Sequence, residues 1–351
     1  MKLSIRRFSG GIRGAHNASN TWHSRSGLLL ELCAGSTRGL GEASPLPGYS
    51  PDTLESAQAA LAALDLTALE RALNLEDTAK ALRAVANLVP TAQPAARMAL
   101  ETAALDLRGR QIQLPAPALL GADPGAQRTL AWLAGAPDAQ ALEAIRGAQR
   151  AGYDHFKLKL GQPGNFKAEI AGVRELRRAL GVGPRLRLDA NRGWSVSEAT
   201  SACSLLEALD IEFVEEPSLK FARPLANCVP VALDESLQGL NPDDFEALAR
   251  HSGARFVILK PMVLGGLSHC IELARHAMAL DLGVVVSHSF DGPVALVASA
   301  ALALALPTRV AQGLAPHPGL AAWPPMPLPI AHAALHAWNA PGLGVASEWP
   351  D

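Results

Sequence analysis

The sequence predicts an α/β protein in which a parallel (β/α)-barrel follows an α+β unit. Three features point there. From about residue 126 onward, eight short β-branched or leucine-rich runs alternate with helical stretches. Before residue 115, strand patterns come first and helix patterns after, the order of an α+β unit. Charged residues stand directly behind the apolar cores of successive runs in the second part, where a parallel barrel gathers its strand ends.

Each element has its own warrant. Residues 1 to about 45 hold short β-type stretches such as Gly27-Leu28-Leu29-Leu30-Glu31-Leu32, broken by glycines. From Pro51 to about Arg110 the pattern is Ala/Leu-rich and helical, and the Pro/Gly-rich stretch 114–125 reads as a connection. The eight runs are 129–133, 155–160, 185–188, 211–214, 231–233, 255–259, 284–287 and 309–313, with helical stretches such as 139–150 and 243–251 between them. About 200 residues suffice to close a barrel. An open doubly wound sheet is the competitor, but no G-x-G-x-x-G follows any run.

Composition narrows the function classes. The 351 residues are 49% hydrophobic and 18% charged, so a large core can be buried, and a net charge of −2 gives no reason to expect nucleic acid or an anionic membrane as partner. The N-terminus alternates like a strand and lacks the apolar stretch of a signal peptide. The most apolar run, 294–306, is shorter than the roughly 20 residues a membrane span needs. Cys33, Cys203, Cys228 and Cys270 lie far apart with no C-x-x-C spacing and read as reduced thiols of a cytoplasmic protein.

The chemistry sits at the strand ends. In His155-Phe156-Lys157-Leu158-Lys159-Leu160 two lysines share one strand face. Arg187-Leu188-Asp189-Ala190-Asn191 repeats that geometry, followed by Phe213-Val214-Glu215-Glu216-Pro217, Ala232-Leu233-Asp234-Glu235-Ser236 and Ile258-Leu259-Lys260-Pro261. Consecutive strands would thus deliver three carboxylates and then an ammonium to one mouth. Three facing carboxylates repel unless a hard cation takes their oxygens, and Mg²⁺ (Mn²⁺ also) suits such ligands. A lysine near a bound cation has its pKa lowered and can act as a base. The set describes proton abstraction next to the carboxylate of a small-molecule substrate.

Each residue also has a bland reading. A lone Asp or Glu behind a strand is commonly a turn former or helix cap, and paired lysines are commonly the solvated face of an edge strand. The ordered set K-x-K, D-x-N, E-E-P, D-E-S, K-P favours the functional reading. His288 reads equally as a substrate contact or a packed loop residue, and His16 as a loop residue.

At these motifs the chain resembles the enolase superfamily, in particular its muconate-lactonizing-enzyme subgroup, over nearly its whole length. The resemblance implies a modified TIM barrel over 116–324 and an α+β capping domain over 1–115, completed by about 325–351. It implies Lys159 as acid/base catalyst, with Lys157 supporting it near the substrate carboxylate and Arg187 touching the catalytic lysine. It implies Asp189, Glu215 and Asp234 as metal ligands, Asn191 and Glu235 as groups that orient them, and Lys260 as a second lysine on the opposite face of the substrate. A lysine at 260 differs from the His–Asp dyad of the mandelate-racemase subgroup.

Within the subgroup, Ser287-His288-Ser289-Phe290-Asp291-Gly292 and Leu264-Gly265-Gly266-Leu267 resemble the o-succinylbenzoate synthase family. That implies Mg²⁺-dependent dehydration of a succinylated cyclohexadiene carboxylate in menaquinone biosynthesis, with Ser287, His288 and Ser289 contacting substrate. Racemases of N-acylamino acids resemble the same catalytic set. Dipeptide epimerases resemble an acidic pair at the eighth strand, whereas this chain reads Gly313-Leu314-Ala315-Pro316-His317-Pro318. A non-catalytic barrel that only binds a ligand would need no lysines on both sides of the carboxylates. Oligomeric state is not legible.

Overall fold

A computed structural model describes residues 1–17, 20–220, 227–320 and 328–345. The chain opens with an antiparallel meander, β1 (Lys2–His16), β2 (Thr21–Ala34) and β3 (Thr37–Ala43). Helices α1 (Leu54–Ala62), α2 (Leu66–Leu73), α3 (Thr78–Ala86) and α4 (Pro94–Ile112) follow, as the strands-then-helices pattern requires. Buried Ala and Leu side chains line α4, which packs on β3. Gly39 and Gly41 permit this, because a Cβ at either would run into the backbone of α4 at Ala103 or Ala99.

After the short α5 (Ala116–Leu119), β4 (Gln127–Thr129) pairs antiparallel with β13 (Ala334–His336), which in turn pairs β12 (Ile330–Ala331). The first barrel run, expected over 129–133, is therefore split. Its second half, β5 (Ala131–Gly135), begins a curled seven-stranded parallel sheet with β6 (His155–Lys159), β7 (Arg185–Asp189), β8 (Ile211–Glu215), β9 (Val231–Leu233), β10 (Phe256–Leu259) and β11 (Gly283–Val286), in chain order. The connecting helices are α6 (Ala139–Arg150), α7 (Phe166–Leu180), α8 (Val196–Leu206), α9 (Pro242–Ser252), α10 (Pro261–Leu264), α11 (Leu267–Ala279) and α12 (Pro293–Ala305).

The eighth run forms no strand. Gln312 and Gly313 instead make isolated parallel bridges to Leu130 and Ser287, spanning from one edge of the sheet to the other. Inside the curl a small cluster of Phe213, Ala232, Ile258 and Val285 fills the floor, while the opposite strand faces join the main core beneath the helices.

Two further expectations meet the structure here. Cys203 and Cys228 are disulfide-bonded, with Cα atoms 5.4 Å apart, which corrects the reading of four reduced thiols. The end of α8 lies beside the chain entering β9, a proximity no sequence spacing reveals. The apolar run 294–306 is the buried α12, and no described helix is long and apolar enough to cross a membrane. Of the stretch expected to return to the first unit, residues 325–327 and 346–351 lie outside the described residues. Leu343 N donates to Asp106 Oδ1 at 2.8 Å and Arg110 Nη2 to Val345 O at 2.7 Å, so 343–345 rests on α4.

Candidate active site

Strand alternation sends Phe156 and Leu158 outward and Lys157 and Lys159 inward. The parallel register then sets Lys159 beside Asp189 and Asp189 beside Glu215. Asp234 follows β9, and Lys260 follows β10 as the N-cap of α10. Asp189, Glu215 and Asp234 are at most 2% exposed.

These groups meet. Lys157 Nζ donates to Glu215 Oε1 and Oε2 at 2.8 and 2.7 Å and lies 2.8 Å from Asp189 Oδ2. Lys159 Nζ donates to Asp189 Oδ2 at 2.6 Å and to Asn191 Oδ1 at 3.2 Å. Asn191 Nδ2 passes the chain on to Glu235 Oε1 at 3.1 Å, leaving Glu235 Oε2 buried without a partner among the described residues. Lys260 is ion-paired with Asp234 and donates to Tyr49 Oη at 2.7 Å.

Arg187 behaves differently from expectation. Its guanidinium donates to Glu212 at 2.7 and 3.2 Å and to Ala311 O at 2.8 Å, and lies over the Phe213 ring. A register shift between β7 and β8 at Leu186/Arg187 brings Glu212 within reach, and among the described residues no hydrogen bond joins Arg187 to Lys159.

Burial and charge compete at Asp189, Glu215, Asp234, Lys157 and Lys260. Burial is the largest influence on Asp189 and opposes its ionisation, yet Lys157, Lys159 and Lys260 hold its carboxyl below the usual range. Burial, then the neighbouring Asp189, push Glu215 up to about 7, and burial also raises Asp234. Burial would lower Lys157 and Lys260, but Asp189 and Glu215 around the first, and Asp234, Glu215 and Glu235 around the second, keep both above the ordinary lysine range. Lys157 and Lys260 thus act as counter-cations to the carboxylates.

A hard divalent cation fits this donor set by its chemistry. The carboxylates of Asp189 and Glu215 approach one cationic nitrogen together, Asp234 holds a second, and all three offer only oxygen. The carboxylates are turned onto lysines, and among the described residues no three acidic, His or Cys groups stand in ligating geometry.

A cavity opens above the lysines, lined by Ser287, His288 and Ser289 and by Trp22, Leu46 and Tyr49 from the first unit. Ser287 Oγ donates to Gly313 O at 3.2 Å. The His288 Nδ1 and Ser289 Oγ atoms are buried without a partner among the described residues, as expected of groups awaiting a polar ligand. Burial, then His317 and Lys260, push His288 down to about 3, so its imidazole is neutral.

Sequence reasoning missed two contributors. Glu216 accepts Asp234 N at 2.9 Å and Ser236 N at 2.8 Å through Oε1, bracing the turn that carries Asp234. Its place directly after Glu215, at the end of β8, was the available signal. Tyr49 sits in a Pro/Gly-rich loop with no periodic pattern, and its hydroxyl lies 3.3 Å from Asp234 Oδ2 as well as against Lys260.

Comparison with known families then decides the lineage. The family described as enolase C-terminal domain-like matches residues 140–350, more than half of the chain, and the MenC N-terminal domain family matches 17–93. The chain belongs to the enolase superfamily. Among relatives in this superfamily, an o-succinylbenzoate synthase of Citrobacter koseri is 32% identical over 83% of this chain and 82% of its own length. Muconate cycloisomerase 1-1 of Acinetobacter lwoffii is 30% identical over 78% and 73%. The substrate-liganded structure of the L-Ala-D/L-Glu epimerase from Bacillus subtilis superposes with a TM-score of 0.84 over 98% of both chains at 21% identity, a likeness of fold. The curled parallel sheet with a separate antiparallel sheet is the architecture of this enolase-superfamily member.

Proposed function

We propose that the chain is an o-succinylbenzoate synthase, a metal-dependent lyase that dehydrates 2-succinyl-6-hydroxy-2,4-cyclohexadiene-1-carboxylate. One observation carries the reading: Lys159 and Lys260, with three strands between theirs, flank buried Asp189, Glu215 and Asp234 beneath a cavity with orphaned polar atoms. The MenC N-terminal match and the synthase relative support the substrate choice. The absence of a carboxylate at 313–318 speaks against a substrate ammonium.

Asp189, Glu215 and Asp234 would hold Mg²⁺, which when bound polarises the substrate carboxylate and stabilises charge developing on it. Lys159 takes the α-proton as base, the electron pair expels the hydroxyl, and the same ammonium returns the proton so that water leaves. Lys260, held by Asp234 and Tyr49, presents a positive charge to the enediolate from the other side. Asn191 fixes the Lys159 amine, and Lys157 steadies Asp189 and Glu215. His288 and Ser289 would hydrogen-bond the substrate. We read 1–115 with the returning C-terminal stretch as the cap, and 116–324, with the bridging pair Gln312 and Gly313 in the place of an eighth strand, as the modified TIM barrel.

The lysine pair also favours a second reading, racemisation or epimerisation of N-acylamino acids, in which Lys159 and Lys260 exchange the α-proton across one carbon. Incubation with Mg²⁺ in deuterated water separates the two. A dedicated synthase forms the aromatic product and leaves the α-proton of N-succinylamino acids in place. Deuterium uptake by those amino acids without aromatic product would overturn the synthase reading.

A further inference from the structure

Arg25 on β2 is 1% exposed and has no part in the reaction proposed above. Its Nη1 donates to Pro45 O at 2.8 Å and its Nη2 to Ser44 O, both at the root of the loop that carries Leu46 and Tyr49 into the cavity. Its Nε donates to Phe290 O at 3.0 Å and its Nη2 to Ser289 O at 3.2 Å, in the loop that carries His288 and Ser289. Asp291 Oδ1, 3.7 Å away, supplies the counter-charge. Burying a guanidinium is costly unless its donors are satisfied, and here four carbonyls from two loops satisfy them. Trp22 spans the same gap: its Nε1 donates to Pro47 O at 2.9 Å and its ring centroid lies 6.1 Å from that of Phe290.

We propose that Arg25 is a positioning residue that clamps the Tyr49 loop to the His288 loop and so sets the width of the substrate cavity. The inference rests on the proposed reading only in taking that cavity as the substrate site. The planar fork of arginine reaches four carbonyls at fixed angles, whereas a lysine ammonium is a single point with three donors and cannot hold both loops.

Arg25→Lys tests this by two independent measurements. In the ligand-free protein, hydrogen exchange at the amides of 46–50 and 287–291 should quicken together by roughly tenfold or more, with the amides of 185–189 unchanged. In turnover, KM should rise roughly tenfold while kcat moves by less than about threefold, because the lysines and carboxylates stay in their ladder. Unchanged exchange in either loop, or a fall in kcat at constant KM, would overturn the clamp. Should Arg25→Lys fail to fold, wild-type exchange decides: the two loops must open with one shared opening free energy, and separate opening excludes a common clamp. If wild-type protein turns over neither the cyclohexadiene carboxylate nor N-succinylamino acids, the functional reading falls while the exchange experiment still judges the clamp.

Discussion

Glu101→Gln should make the protein more stable above neutral pH. Glu101 lies fully buried on α4, where its Oε2 accepts Ser268 N at 3.1 Å and its Oε1 accepts the Ser268 hydroxyl, in the first turn of α11. Burial, the dominant influence, pushes its carboxyl from 4.5 to about 7, although Ser268 and Arg97 resist. A carboxyl raised in the folded state favours the neutral acid there. Its contribution is therefore intact below the unfolded value near pH 4.5 and is lost as pH rises through about 7. A gap of about 2.5 units at 1.36 kcal/mol per unit corresponds to about 3 kcal/mol. Glutamine keeps the shape and an oxygen acceptor without ever ionising. In denaturant titrations the two proteins should match near about pH 4.5 and diverge to about 3 kcal/mol in favour of the variant by about pH 8. Stability curves that run parallel across that window would refute the claim that burial governs this carboxyl.

Three other outcomes bear on the site itself. Lys159→Ala should lower turnover by at least roughly a thousandfold, with the circular dichroism spectrum and denaturation midpoint preserved; appreciable residual activity would show that another group is the base. Tyr49→Phe removes the hydroxyl between Lys260 and Asp234 and should cost roughly tenfold in kcat/KM, measured by steady-state kinetics. Chelation should abolish turnover and added Mg²⁺ should restore it, while calorimetric titration of Asp189→Asn should show metal affinity weakened by at least roughly tenfold.

Legibility followed the range of the physical cause. The six strands from β6 to β11 were readable to within one or two residues, because period-two alternation and bounding turn residues are local. The split of the first run depends on β13, some 200 residues onward, capturing 127–129 into another sheet. The eighth run kept only two bridges, because Gln312 and Gly313 pair on opposite sides over a single step. Lys157, Lys159, Asp189, Glu215, Asp234 and Lys260 were found together because each lies in, ends or directly follows a strand, and parallel register does the rest. Arg187 pairing with Glu212 was hidden by the register shift beside it, and the Cys203–Cys228 bond by a proximity that arises only in three dimensions. Tyr49 and Arg25 were illegible because their partners lie 211 and 265 residues away.

That division has a consequence for how the site can vary. The lysines and carboxylates belong to one parallel ladder, where neighbouring strands stand at a fixed spacing of about 4.8 Å. A surface change elsewhere hardly alters their mutual distances. The cavity walls have a different origin, since Trp22, Leu46 and Tyr49 come from the first unit and face His288 and Ser289 only because that unit docks through buried groups such as Arg25, Glu42 and Glu101. Glu42 accepts from Gly292 N at 2.6 Å and from Val294 N and Ala295 N at 3.2 Å, so the docking contact is also the N-terminal cap of α12. Altering the wall should therefore change which carboxylate is accepted without disturbing proton transfer, whereas altering the ladder should stop proton transfer for every substrate alike. Substitutions at Trp22 or Leu46 belong to the first kind and those at Lys159 or Asp189 to the second.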